Sequence, residues 1–185
     1  MEDPGAKVAR LFEQSEREFL LAPVQVTMKT STDDIEVGDL FLKKTREGER
    51  LEMPRWVAEE LVELNLADMD EEPFEVEILK ALTREKILAS LQLSPLEPNF
   101  YIRMRRRLAA IKAGVERGKY RREDYEKLRM SSYDLIGRRL SKLLAMSSSA
   151  SVQTIVDKIT PEEKAFFSMS GSISASWKKA LLGDQ

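Results

Sequence analysis

The carboxylates Glu59 and Glu63, one helical turn apart, and the adjacent Glu71 and Glu72 are the side chains best suited by type and spacing to acid–base chemistry. A pair of acids works in catalysis when an apolar cleft pushes the two pKa values apart. Nothing in the sequence around these four marks such a cleft, and a solvated helix face is the better reading. The run Ser147-Ser148-Ser149 lacks the flanking glycines of a nucleophile elbow and reads as a loop. The chain has no Cys and no His. Thiol nucleophiles, disulfides, the usual zinc sites and the commonest general base are therefore excluded. No Gly-rich phosphate loop occurs. The residues point to no catalytic centre, no metal and no cofactor.

What remains chemically distinctive is arginine. Arg103, Arg105, Arg106 and Arg107 cluster tightly, and Lys119, Arg121 and Arg122 follow. From Tyr101 to Met146 there are 14 Lys and Arg against 5 Asp and Glu, a surplus of +9 in a chain of net −2, which leaves −11 for the rest. On a helix, successive arginines turn by about 100° each, so the cluster flanks an apolar stripe on both sides. Three readings stay open. Guanidinium forks could grip carboxylates of another chain, the face could be merely solvated, or it could bind DNA in a salt-dependent way. No aromatic interleaving supports the last. Tyr133, Leu135 and Ile136 beside Arg138 and Arg139 give the aromatic, aliphatic and Arg mixture common at interface cores. The same residues could equally be intramolecular core.

The elements that would position these side chains follow from periodicity. The chain has 185 residues, 42% hydrophobic and 34% charged, enough for one good core or a large and a small one. Residues 6–18 predict a short helix, with Val8, Leu11, Phe12 and Ser15 on one stripe. Val24, Val26 and Met28 then alternate with polar neighbours, as a half-buried strand does. A hairpin is expected between Asp39–Lys44 and Arg50–Met53, with Gly48 supplying a positive φ. Pro54 suits the first position of a helix whose stripe is Val57, Leu61 and Leu64, with Trp56 packing it onto the sheet. The polar stretch 68–72 reads as a linker.

Beyond it every segment has helical period. Residues 73–91 carry Phe74, Ile78, Leu82, Leu88 and Leu91. A helix opening near Tyr101 carries Met104, Leu108, Ile111 and Val115. Residues 121–145 carry Tyr125, Leu128, Leu135, Ile136, Leu140, Leu143 and Leu144, and two heptad-like stripes on consecutive helices imply antiparallel bundle packing with some apolar surface left for a partner. A Ser-rich break at 147–151 precedes a short helical piece through Val152, Ile155 and Ile159. Thr160-Pro161-Glu162-Glu163 is a capping box opening the last helix, with Phe166, Met169, Ile173, Trp177 and Ala180 as its buried stripe. The expected fold class is α+β. It comprises an N-terminal helical extension (1–18), a small β-rich domain (19–67), a linker (68–72) and a larger all-α helical-bundle domain (73–185). No apolar run approaches a membrane span and the first residues lack a secretory pattern, so an intracellular, cytoplasmic protein is expected.

The stretches Glu18-Phe19-Leu20-Leu21-Ala22, Val24-Gln25-Val26 and Leu51-Glu52-Met53-Pro54-Arg55-Trp56-Val57-Ala58 resemble the small β-domain of GINS subunits of the type in which that domain comes first. Leu64-Asn65-Leu66-Ala67-Asp68-Met69 is similar to that family's passage into its helical domain. Pro98-Asn99-Phe100-Tyr101 and Thr160-Pro161-Glu162-Glu163 resemble helix openings within it. The likeness runs from about Phe19 to Leu182 in order and spacing, is most specific around Met53-Pro54-Arg55-Trp56, and is closer to the archaeal version.

The resemblance implies a non-catalytic scaffold subunit of a DNA replication complex that supports the MCM replicative helicase. It also implies a 2+2 heterotetramer with a sister GINS subunit of opposite domain order. A RecJ-like factor, and primase or DNA polymerase, are further expected contacts, with direct DNA contact weak or indirect. The subunit-interface candidates are Arg103, Arg105, Arg106, Arg107, Tyr133, Leu135, Ile136, Arg138 and Arg139. Two other readings stand beside it, a basic nucleic-acid-binding helical adaptor and a hydrolase working with carboxylates alone.

Overall fold

The computed structural model of the chain describes residues 3–37, 40–147 and 155–183. The architecture is α+β, with a small strand-rich part followed by helices. In order, the elements are α1 (Pro4–Leu21), β1 (Pro23–Met28), β2 (Ile35–Val37), β3 (Leu40–Leu42), β4 (Arg50–Pro54), α2 (Arg55–Glu63), β5 (Ala67–Met69), α3 (Phe74–Ile87), α4 (Phe100–Glu116), α5 (Arg122–Ser147), a 3₁₀ turn (Val156–Lys158) and α6 (Pro161–Leu182). The chain divides into two compact units, Glu13–Glu72, and Pro73–Gln185 together with Met1–Phe12. Most of the expected Ser-rich break, and Val152 after it, lie outside the described residues.

In the Glu13–Glu72 unit, β1 is the centre of an antiparallel sheet of order β4-β1-β5. Val24, Val26 and Met28 point to one face and are buried, while Met53 and Ala67 from the flanking strands join them. That is the period-2 pattern read from the sequence. The expected hairpin between the third and fourth strands does not form. β3 pairs instead with β2, with Val37 opposite Leu40, and β4 pairs with β1. The reason lies at Thr32 and Thr45, which exchange backbone hydrogen bonds at 3.1 Å and whose hydroxyls meet at 2.7 Å. This clasp closes the β2–β3 excursion at its base and sends the chain back to β1. There Gly48, at φ +78°, donates its N–H to the Met28 carbonyl at 2.8 Å. Asp39 lies outside the described residues.

Helix α2 buries Val57, Ala58 and Leu61 against the sheet, with Trp56 partly buried on the same core. Leu64, expected in that stripe, is 62% exposed. The helix has already ended there, and Asn65 in the left-handed region (φ +59°) turns the chain so that Ala67 enters the core instead. Asp68 and Met69, expected in a linker, belong to β5 and pair with Thr27 and Val26. Glu71 receives both terminal nitrogens of Arg55, which is buried and lies 4.1 Å from the Phe19 ring centroid. Glu71 is therefore one half of a salt bridge in the turn after β5, not part of a solvated helix face. Helix α1 extends beyond the expected extension, to Leu21, and Ser15 and Phe19 are buried.

The helical unit packs Phe74, Ile78 and Leu82 of α3 against Phe100, Met104 and Ile111 of α4 and Leu128 and Leu135 of α5. Phe74 and Phe100 meet with ring centroids 5.1 Å apart. A second apolar cluster joins Leu93, Leu143, Met146, Ile155 and Ile159, with Phe166 and Phe167 of α6 against it.

Within the unit sits a charged cluster centred on Arg139, which is 0% exposed. Its Nε and one terminal nitrogen donate to Glu163, the latter at 2.8 Å. The other terminal nitrogen donates to Glu85 at 2.6 Å and to the Ser94 carbonyl at 2.8 Å. Glu85 also accepts from the Ser94 N–H and hydroxyl and from Lys142. This is why α3 stops at Ile87 instead of running to Leu91. Ser94 must return to reach the Glu85 carboxylate, and Leu91 is left 60% exposed. Glu163 completes the expected capping box with Thr160 and accepts from Tyr101 Oη at 2.6 Å.

Burial alone would raise the Glu85 pKa, but Lys142, Ser94 and Arg139 more than offset it and hold it below the ordinary 4.5. A carboxylate with a depressed folded pKa stabilises the fold above its unfolded pKa, and that contribution is lost as pH falls through the folded value. On acidification below about pH 4.5 the urea midpoint should therefore drop, and less steeply in Glu85→Gln. Arg139→Ala would leave Glu163 buried without its cation and Glu85 with Lys142 alone, and should lower unfolding free energy by about 3–5 kcal/mol in urea titrations, a loss under ~1 kcal/mol contradicting this account.

Candidate protein interface

Helix α5 is 26 residues long and carries two apolar faces. One holds Leu128, Ser132, Leu135, Arg139, Leu143 and Met146, all buried. The other holds Met130 (71% exposed), Tyr133 (65%), Gly137, Leu140 (38%) and Leu144 (50%). Their spacing is three, four, three, four, so at about 100° per residue they form one straight seam roughly opposite the core face. The sequence grouped Leu140 and Leu144 with Leu128, Leu135 and Leu143. The structure separates them because two stripes of the same period share one helix.

Gly137 lies in mid-seam, and a Cβ there would meet nothing within 4 Å. A glycine in a helix interior costs about 1 kcal/mol relative to alanine. No side chain among the described residues crowds this position. Gly114 is different, since its Cβ would fall 2.2 Å from the Tyr120 ring. Arg129 flanks the seam at 5.4 Å from the Tyr133 ring centroid, and Arg138 donates to Asp134 at 2.7 Å. Burial would raise the Asp134 pKa, but Arg138 and Lys86 together more than offset it and hold it below the usual carboxylate value.

A second exposed stretch adjoins it. Arg139 meets Glu163, and a Cβ on Gly171 would sit 3.5 Å from the Ser147 carbonyl oxygen. The two pairs are eight residues apart on both helices, so α5 and α6 run side by side in the same direction. Because α5 ends at Ser147, residues 172–182 of α6 continue about 16 Å past it. This corrects the expected buried stripe of α6. Phe166 and Met169 are half-buried, but Ile173 and Trp177 are each 68% exposed and Ala180 is exposed; among the described residues α5 reaches no further than Ser147. Around two parallel helices, the 100° step brings Ile173 and Trp177 out on the same side as Leu140 and Leu144.

The sequence-derived candidates fall into separate places. Arg103 pairs with Glu77 and Arg107 with Glu75, each at 2.6 Å, so both fasten α4 to α3. Arg105 is exposed and Arg106 half-buried. Leu135 is 0% exposed in the core and Arg139 is enclosed by Glu85 and Glu163, so neither is available to another chain. Ile136 is half-buried against the same core. Tyr133 and Arg138 alone of that group lie on or beside the seam. Met130 and Gly137 were missed and Leu140 and Leu144 grouped with the core, though their spacing signalled the seam; the burial of Arg139 was signalled by its place four residues after Leu135.

A hollow between α3, α4 and α5 is lined by Ile78, Leu79, Tyr120 and Met130, with Glu75 held by Arg107. Among the described residues no three acidic side chains gather as a metal site would need, and no helix is long and apolar enough to cross a membrane. No protein-family model matches the chain, and no curated protein is significantly similar to it.

The two faces of α5 differ in what they do for the single chain. Leu135→Ala should cost about 2–5 kcal/mol of stability, while Met130→Gln should change it by no more than about 0.5 kcal/mol in the same denaturation experiment. A large loss from Met130→Gln would mean that the seam is covered within the chain.

Proposed function

We propose that this chain is a non-catalytic scaffold subunit of a GINS-like DNA replication complex that associates with and supports the MCM replicative helicase. The observation that carries the reading is the seam on α5, continued onto the exposed Ile173 and Trp177 of α6. An apolar surface of this extent on a helical unit is the kind that another polypeptide covers. The family resemblance around Met53-Pro54-Arg55-Trp56, and the order of a small sheet unit before a helical one, support the GINS assignment. On this reading the sister subunit joins in a 2+2 assembly, with the helicase, a RecJ-like factor and primase or polymerase as its clients. It works on chromosomal DNA, in the cytoplasm if archaeal or the nucleus if eukaryotic. The basic adaptor reading loses force because Arg103, Arg107 and Arg139 are engaged by carboxylates of the same chain.

The test is a mass measurement by light scattering, on the chain alone and mixed with a sister subunit of opposite domain order. The expected outcome is a stable species of about four chains, weakened by Tyr133→Glu. A chain that stays monomeric and ignores the sister, or that binds DNA tightly and releases it with salt, would remove the proposal.

A further inference from the structure

We propose that the hollow between α3, α4 and α5 docks a short acidic segment of another protein, whose apolar side chains enter it and extend onto the outward face of α3. The inference goes beyond the scaffold reading and holds with or without a sister subunit. Of the seam residues on α5, Met130 alone lines this hollow.

The shape is that of a groove with two seats. The hollow measures about 670 Å³, within the range of sites that take a ligand or an anchoring side chain. Its floor is Ile78 of α3, Ile111 of α4 and Leu128 of α5, all buried. A second hollow of about 480 Å³ lies along α3 beside Val76, Thr83 and Arg84. Leu79 lines both and is 55% exposed, so it stands as a ridge between them. Side chains at i and i+4 of a helix project side by side, about 5–6 Å apart. Two of them can straddle such a ridge with one in each hollow, which is how an amphipathic helix engages a groove.

The far wall of the larger hollow is fixed in place. The Tyr120 ring lies against α4 at Gly114, where a Cβ would fall 2.2 Å from it. Glycine weakens a helix, and this one makes room for the ring. The Arg107 guanidinium sits 5.6 Å from the same ring centroid while it holds Glu75. The site is thus formed before a ligand arrives, and binding needs little reordering of the protein.

The charges identify an acidic partner. Both acids of the larger hollow are already held by arginines of this chain, Glu75 by Arg107 at 2.6 Å and Asp124 by Arg121 at 3.2 Å. Among the described residues, Lys127 on the α5 side and Arg84 on the α3 side meet no carboxylate. Lys80 stands beside Arg84 on the second hollow. The rim is therefore cationic around an apolar floor. Carboxylates flanking the two anchors would match that rim and steer the approach. A nucleic acid would satisfy the cations and leave the floor uncovered.

The test selects ligands for the full chain from a random library of displayed peptides of about twelve residues, some three helical turns. Enriched sequences should carry Asp or Glu around two bulky apolar residues three or four positions apart. A synthetic copy, followed by fluorescence anisotropy, should bind roughly tenfold or more weakly to Lys127→Glu and to Leu79→Glu. Both side chains are exposed, so the Tm of each variant should stay at the wild-type value. Changing one flanking acid of the peptide to lysine should restore binding to Lys127→Glu. A selection that enriches nothing, peptides without acidic bias, or binding unmoved by both substitutions would each overturn the proposal. So would oligothymidylate that displaces the peptide and is itself indifferent to Leu79→Glu, because the rim would then be a phosphate site. No sister subunit enters the measurement, so any of these failures leaves the assembly reading standing.

Discussion

The helical unit depends on one buried guanidinium. Arg139 has five N–H donors, and all five find acceptors: Glu163 twice, Glu85, and the carbonyls of Ser94 and Lys158. Burying a charge is costly unless its partners replace water in full. Here Arg139 and Lys142 face Glu85 and Glu163, so two cations meet two anions. Burial by itself would discourage ionisation of Arg139, yet Glu163, then Tyr101 and Glu85, hold its pKa above the ordinary arginine value. The Tyr101 hydroxyl, desolvated and beside Glu163, titrates well above its usual value and remains a donor. Each partner comes from a different element, so one side chain fixes α3, α5, α6 and the turn at Ser94 relative to one another. A lysine could not replace it, having three donors and no planar fork.

That arrangement also explains how α5 comes to have two uses. The inward face is completed by charge as well as by leucine, which frees the outward face from any duty to the single fold. Its residues are spaced as regularly as those inside, though Met130, Tyr133 and Leu144 stay half or more exposed. Glu163 shows a similar economy of parts, closing the N-terminus of α6 and neutralising Arg139 with the same carboxylate.

Much of this was legible in the sequence where a signal is local. The alternation of Val24, Val26 and Met28, the positive φ of Gly48 and the capping box at Thr160 each depend on a few neighbouring residues, and each formed as read. What misled was non-local. The partner of β4 was decided by the Thr32–Thr45 clasp, thirteen residues apart. The end of α3 was decided by Ser94 returning to Glu85. Leu135 and Arg139 could be read as interface or as core because arginine and tyrosine stand beside them, and a helical wheel places them inside only when the seam residues are assigned to the other face. The exposed stripe of α6 has the same period as its buried part.

The cluster around Arg139 has a consequence for synthesis of the protein. The sheet unit has every strand it needs once residue 72 has left the ribosome, and can close at that point. The helical unit cannot, because α5 presents its guanidinium some twenty residues before Glu163 arrives to neutralise it. Until the ribosome has passed that residue, three helices hold an incompletely countered cation and a half-covered core. A chain cut short before Glu163 would carry that defect permanently, giving chaperones and proteases a physical mark by which incomplete copies differ from finished ones.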